Sequence, residues 1–191
     1  EAGASFLGFV LVKESPRYVP IEQVQELVKT VPPGTARVAL TANPTDEELE
    51  RITAELTLDF LQLHGNESPE EVARIKKFVR LPIIKAIGFE QPSDYAIAAQ
   101  YEAADIFLVD HTQNGVVGGG SGKTANWDII RKWNATKPWF LAGGLCASNV
   151  AQAMMRTGAR MVDVSSGVES RRGVKDCIKI REFMKAVEAA K

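Results

Sequence analysis

Short apolar runs alternate with longer amphipathic stretches along the whole chain. The apolar runs have strand length, and the stretches between them repeat apolar residues with helical spacing. This alternation predicts a parallel sheet covered by helices. The predicted strands are residues 6–12, 37–40, 60–63, 82–86, 106–109, 140–142 and 161–164, and the predicted helices are residues 21–31, 45–55, 69–78, 92–101, 127–133, 148–157 and 177–190.

The number of predicted units favours one parallel fold. Seven strand–helix units are one fewer than a TIM (β/α)8 barrel requires, and an open barrel would expose two strand edges. A doubly wound sheet is the alternative, but the G-x-G-x-x-G turn typical of it does not follow the first strand. We interpret the opening "EAGAS" as the end of a helix closed by glycine. The sequence therefore predicts a TIM barrel as a single domain over residues 1–191, with its first β/α unit absent.

Composition narrows the possible partners. The formal net charge is −1 with 25% charged residues, which offers no basic surface for nucleic acid. No apolar run approaches the roughly 20 residues that span a bilayer, so we expect no membrane partner and a cytoplasmic location. Cys146 and Cys177 lie far apart without metal-ligand spacing, and neither a disulfide nor a metal site is expected.

Polar segments follow the predicted strands at the end where barrel enzymes place their chemistry. They read "KESPR", "LQLHGNE", "LVDHT", "LAGGL" and "VDVSSGVES". The glycines and serines of the last two segments offer free backbone N–H groups for a phosphate, although glycines there could also serve tight turns. The candidate phosphate ligands are Gly143, Gly144, Ser165, Ser166 and Gly167.

Six motifs together resemble the phosphoribosylanthranilate isomerases of tryptophan biosynthesis. They are "GFVLVKESPRYV", "LQLHGNES", "IIKAIG", "GGGSGKTANW", "LAGGLCASNV" and "VDVSSGVESRRGVKD", in family order. The resemblance implies an Amadori rearrangement of N-(5-phosphoribosyl)anthranilate to 1-(o-carboxyphenylamino)-1-deoxyribulose 5-phosphate. It implies no cofactor and no metal, a small phosphoribosyl substrate as partner, and a monomer or homodimer.

Five polar side chains have expected roles, and the resemblance supports three of them, Asp110, Arg17 and Asp163; Gln62 and His64 are judged from their position on one face at a strand end. Asp110 matches the general acid, and strand alternation turns it inward with Ile106 and Leu108; a capping or salt-bridged aspartate is the alternative. Arg17 is expected to bind the anthranilate carboxylate, where a merely solvated arginine is the alternative. Asp163 is expected near the substrate amine, with a purely structural role also open. Gln62 and His64 are expected to line the site, and His64 could instead be a structural histidine.

Two features fit the pattern less simply. The stretch 111–124 partly resembles the glycine-rich loop that binds the phosphates of nucleotides, but Val117 stands where that motif requires its first glycine. We expect instead a loop that closes over the substrate. Asn126 stands where relatives tend to carry aspartate. The resemblance also implies a general-base cysteine in a K-[IV]-C-G motif, which these residues lack. An unseen segment, a truncation or a pseudoenzyme would each account for that.

Two other classes of function remain open. One is a phosphosugar-binding barrel without catalysis. The other is a different ribose-phosphate barrel enzyme, such as a ribulose-phosphate epimerase or indole-glycerol-phosphate synthase. The epimerase would need several metal-binding histidines, and the chain has only two. The synthase would need a catalytic lysine at a strand end, whereas Lys85 is predicted inside a strand.

Overall fold

The computed structural model describes residues 2–110 and 126–190. Parallel strands and helices alternate through these ranges, as the sequence predicts. The strands are β1 (Phe6–Val10), β2 (Ala36–Thr41), β3 (Phe60–Leu63), β4 (Ile83–Gly88), β5 (Ile106–Asp110), β6 (Trp139–Leu141), β7 (Met161–Val162), β8 (Glu169–Arg171) and β9 (Val174–Lys175). The helices are α1 (Ile21–Lys29), α2 (Asp46–Glu55), α3 (Pro69–Val79), α4 (Asp94–Gln100), α5 (Trp127–Ile130), α6 (Val150–Thr157) and α7 (Cys177–Glu188).

Strands β1 to β7 form one parallel sheet in chain order. Each strand pairs with the next, from Phe6 opposite Ala36 to Leu141 opposite Val162. Within the described ranges, β1 and β7 form the two outer strands of this sheet. Residues 2–5 contain no helix, and the expectation that a further β/α unit precedes them stays a prediction.

The sheet curls into a barrel-like shape. The ring centroids of Phe6 on β1 and Phe140 on β6 lie 5.1 Å apart, although five strand spacings of about 4.8 Å would separate these strands in a flat sheet. The rings meet inside the curve, where alternate residues of the strands form one apolar cluster that includes Ile84, Leu108 and Met161. Two further clusters fill the space between the sheet and the helices. The architecture is therefore TIM-barrel-like.

Local sequence signals explain where the helices begin. Thr45 and Ser68 accept hydrogen bonds from the backbone N–H of Glu48 and Glu71, whose carboxylates accept bonds from the capping residues in return. Asp176 caps α7 by accepting bonds from two backbone N–H groups. No helix in residues 2–110 and 126–190 has the length and apolar character needed to cross a membrane.

The structure departs from the predicted elements after β6. The ladder between β6 and β7 stops at Leu141 and Val162, because Gly143 and Gly144 both adopt positive φ (84° and 61°) and turn the chain. The predicted strand 161–164 is thus shorter, and Asp163 follows β7 instead of lying within it. The antiparallel hairpin of β8 and β9 was not predicted, because strands of three and two residues show no periodicity.

Candidate active site

Three predicted site residues come together at the carboxyl ends of β3 and β5. Asp110 is the last residue of β5 and is buried, on the inward side that it shares with Ile106 and Leu108. His64 directly follows β3, and its Nε2 lies 3.8 Å from Oδ2 of Asp110. Gln62 is buried beside it, with Nε2 3.1 Å from Nδ1 of His64. The inward orientation predicted for Asp110 is confirmed.

These contacts define the protonation of His64. Burial, helped by the nearby positive charge of Lys85 and opposed by Glu67, lowers the pKa of His64 to about 4. The imidazole is therefore neutral at pH 7. Since an amide nitrogen can only donate, Nδ1 accepts from Gln62 and the ring proton lies on Nε2. That N–H faces the Asp110 carboxyl at a distance too long for a direct hydrogen bond.

A buried ion pair supports the loop that carries His64. Lys85 Nζ lies 3.0 Å from Oε2 of Glu67, and both side chains are only 3% exposed. Lys85 also donates to the carbonyl of Gly65, while Oε1 of Glu67 accepts from the backbone N–H groups of Gly65 and Asn43. Sequence reasoning located Lys85 within a strand but did not predict this pair. The charged side chain inside the apolar run "IIKAIG" was the available signal, because a buried lysine requires a partner.

Arg17 is held by a carboxylate from the far end of the chain. Its Nε lies 2.6 Å from Oε1 of Glu169 and its Nη2 lies 3.0 Å from Oε2, which makes a two-point ion pair. Lys175 Nζ is 3.0 Å from the same Oε1. Burial would raise the pKa of Glu169, but the hydrogen bonds from Arg17, Lys175 and the N–H of Gly173 prevail and lower it to about 2. Arg17 is thus not a merely solvated arginine.

Asp163 follows β7, and its backbone N–H donates to the carbonyl of Leu141. The surrounding protein atoms desolvate its carboxyl and raise its pKa, while the charge of Lys175 acts in the opposite direction. The residue is nevertheless exposed at the protein surface.

The two predicted phosphate segments are in direct contact. A Cβ atom on Gly167 would lie 1.8 Å from the carbonyl oxygen of Leu145, so only glycine allows this approach of the loops after β6 and β7. Asn149 shapes the first loop by accepting from the N–H of Cys146 and donating to the carbonyl of Gly144. In the second loop Ser165 contacts Lys175, and Ser166 begins a 3-10 turn (Ser166–Val168). Lys175 is a cation at this loop that sequence reasoning missed.

The remaining candidates contribute little to the described site. Sγ of Cys146 lies 3.1 Å from Oγ of Ser148, and Cys177 is the exposed first residue of α7. Residues 2–110 and 126–190 contain no cluster of histidine, cysteine and acidic side chains suited to a metal ion. His111 and the glycine-rich stretch lie outside the described residues. Asn126 caps α5 by accepting from the N–H of Ile129.

Comparison with known proteins gives a consistent match. The family model for "N-(5'phosphoribosyl)anthranilate (PRA) isomerase" matches residues 1–186. An N-(5'-phosphoribosyl)anthranilate isomerase of Cereibacter sphaeroides (strain ATCC 17029 / ATH 2.4.9) is 44% identical over 186 residues, covering 96% of this chain and 88% of that protein. The corresponding protein of Paramagnetospirillum magneticum is 41% identical over 196 residues, covering 100% of this chain and 90% of that protein.

Solved structures agree with the sequence relatives. A phosphoribosyl anthranilate isomerase from Thermotoga maritima has a TM-score of 0.87 and 31% identity, covering 98% of this chain and 90% of that chain. A second isomerase structure, in complex with reduced 1-(o-carboxyphenylamino)-1-deoxyribulose 5-phosphate, has a TM-score of 0.82 and 30% identity, covering 98% and 89%.

Proposed function

Because the chain belongs to the N-(5'-phosphoribosyl)anthranilate isomerase family, we propose that Asp110 is the general acid of the family's reaction in this protein. The reaction is the Amadori rearrangement of N-(5'-phosphoribosyl)anthranilate to 1-(o-carboxyphenylamino)-1-deoxyribulose 5-phosphate in tryptophan biosynthesis. The observation that carries the assignment is a buried carboxyl at the end of β5, turned inward beside a neutral histidine.

Asp110 acts in the opening of the sugar ring. Its carboxyl donates a proton to the furanose oxygen while the C1–O bond breaks, and the lone pair of the anthranilate nitrogen forms the C1=N bond of an iminium ion. The Nε2–H of His64 faces the Asp110 carboxylate that results. This N–H stabilises the carboxylate when bound substrate brings the two side chains closer together. His64 has this role as a neutral donor, and Gln62 fixes the tautomer that makes it possible.

Charged and polar groups around the strand ends receive the rest of the substrate. The guanidinium of Arg17 binds the anthranilate carboxylate through the Nη1–Nη2 edge, which adjoins the Nε–Nη2 edge that Glu169 holds. As a carboxylate, Asp163 stabilises the positive iminium nitrogen. The paired loops after β6 and β7 bind the phosphate with backbone N–H groups, through the residues Gly143, Gly144, Ser165, Ser166 and Gly167.

The second proton transfer needs a base for the C2 proton. By resemblance this base is a cysteine of a K-[IV]-C-G motif, which the 191 residues do not contain. Cys177 is exposed on α7, and Cys146 points its thiol to Ser148. We therefore assign the base to neither cysteine. A cytoplasmic location and a monomeric or homodimeric state complete the proposal, and one related structure is described as derived from a dimeric isomerase.

The test replaces Asp110 with asparagine in the full natural protein. Asp110→Asn keeps the size of the side chain but removes the transferable proton, so turnover of phosphoribosylanthranilate, followed by its fluorescence, should fall roughly 10²–10⁴-fold while binding persists. Asp105→Asn is the control, because Asp105 precedes the other end of β5 and pairs with Lys76. Near-normal turnover by Asp110→Asn would refute the assignment. Substrate binding without turnover in the unmodified protein would instead favour the inert barrel.

A further inference from the structure

We propose that Glu169 is a positioning residue that orients Arg17 toward the carboxylate of the substrate. It acts through Arg17 and does not itself touch the substrate. This inference rests on the proposed role of Arg17 as the carboxylate ligand, and it adds a residue to which sequence reasoning assigned no role.

The geometry of the pair restricts the guanidinium. Two hydrogen bonds join the Nε–Nη2 edge of Arg17 to both oxygens of Glu169. A planar group held at two points on one edge cannot rotate in its plane, so the direction of the adjoining Nη1–Nη2 edge is set. The side chains are 10% and 4% exposed, which limits competition from water.

Glu169 is itself fixed by the β8–β9 hairpin. Its Oε2 accepts from the N–H of Gly173 at 3.1 Å, and its Oε1 accepts from Lys175 at 3.0 Å. Gly173 has φ +84°, and a Cβ there would lie 2.5 Å from the carbonyl oxygen of Pro16. The hairpin thus packs backbone against backbone on the segment that carries Arg17. The carboxylate has a defined position relative to the end of β1.

The charges of the cluster suit an anionic ligand. Arg17 and Lys175 contribute two positive charges around the single negative charge of Glu169. Lys175 also donates to the carbonyl and the hydroxyl of Ser165 in the proposed phosphate loop. Glu169 therefore holds two cations close together without neutralising both. Arg17 is the one near the proposed carboxylate end of the substrate, and Lys175 is the one near the proposed phosphate end.

The experiment measures dissociation constants for two inhibitors by calorimetry. One is reduced 1-(o-carboxyphenylamino)-1-deoxyribulose 5-phosphate, and the other is the same compound without its carboxyl group. Glu169→Gln should weaken binding of the first about tenfold and change binding of the second less than about threefold. Glu169→Asp, which keeps the charge but shortens the reach, should fall between Glu169→Gln and the unmodified protein. Glu182→Gln on the exposed face of α7 is the matched control.

The arginine variant separates this inference from the proposal on which it rests. Arg17→Ala should weaken the carboxylated inhibitor roughly 30- to 1,000-fold and spare the other, and Glu169→Gln should add almost nothing in that background. Equal weakening of both inhibitors by Arg17→Ala would refute Arg17 as the carboxylate ligand. If Arg17→Ala discriminates but a folded Glu169→Gln or Glu169→Asp protein weakens both inhibitors equally, or neither, the positioning role of Glu169 is wrong.

Discussion

The buried neutral imidazole of His64 predicts a loss of stability in mild acid. In the unfolded chain the ring is exposed to water and has the ordinary histidine pKa of 6.5, whereas folding lowers the pKa to about 4. Above pH 6.5 the ring is neutral in both states and contributes no pH dependence. Below pH 6.5 the His64 ring binds a proton in the unfolded chain, whereas in the folded protein it does so only near pH 4. The free energy of unfolding therefore falls as the pH falls through this window.

The size of the effect follows from the two pKa values. Their difference of about 2.5, at about 1.36 kcal/mol for each pKa unit, corresponds to about 3 kcal/mol lost between pH 6.5 and pH 4. Charged groups near the ring act in different directions: Lys85 lowers the pKa of His64 and Glu67 raises it, and the Asp110 carboxyl also faces Nε2. His64→Gln removes the titration while keeping a side chain that can bond to Gln62.

Urea unfolding at several pH values between 7 and 4 measures this loss. The unmodified protein should lose about 3 kcal/mol more than His64→Gln over that range, because the other titrating groups are common to both proteins. The variant isolates the contribution of His64 even if Asp163 changes the absolute slope. Parallel stability curves for the two proteins, or an NMR titration of the His64 ring with a midpoint near 6.5, would show that the reasoning is wrong.

Two further predictions concern residues that support the site. Gly167→Ala should weaken binding of inorganic phosphate at least about tenfold, because the added methyl group drives apart the contacting loops. Gly8→Ala is the control, since a Cβ atom there would have nothing within 4 Å. Unchanged phosphate binding by Gly167→Ala would contradict the proposed loop site. Lys85→Met should lower the free energy of unfolding by about 3–5 kcal/mol, since it leaves the Glu67 carboxylate buried without its cation. Adding Glu67→Gln to this variant should restore part of the lost stability. A loss under about 1 kcal/mol in Lys85→Met alone would contradict the importance of the pair.

The sequence predicted those features that depend on neighbouring residues. The inward orientation of Asp110 follows from the alternation of its own strand, and the starts of α2 and α3 follow from capping residues within four positions. The same holds for the order of strands and helices, since each unit has its own apolar pattern.

Features that depend on distant contacts were not predicted. Arg17 and Glu169 are 152 positions apart, and their pairing depends on how two irregular loops pack. The pairing of Lys85 with Glu67 was also not predicted. Glu67 lies in a loop, and hydrophobic periodicity does not predict the course of a loop. The resemblance pointed to Arg17 as a ligand, but only the structure shows which carboxylate holds it.

The order of the sheet has a consequence for the time course of folding. Each strand pairs with the next one along the chain, as Leu61 does with Ile83, so most strand contacts close short loops that can form early, even while the chain is being synthesised. The pair of Arg17 and Glu169 closes 152 positions. Compared with the loop of 22 positions between Leu61 and Ile83, this closure costs about 2 kcal/mol more in chain entropy.

We therefore expect the pair of Arg17 and Glu169 to form last, after the folding barrier. A bond formed after the barrier slows unfolding without speeding folding. In stopped-flow denaturant experiments Glu169→Gln should unfold faster than the unmodified protein and refold at the same rate, and a slower refolding limb would place the pair in the folding nucleus. The contact that orients the arginine would then also govern how long the molecule, once folded, stays folded.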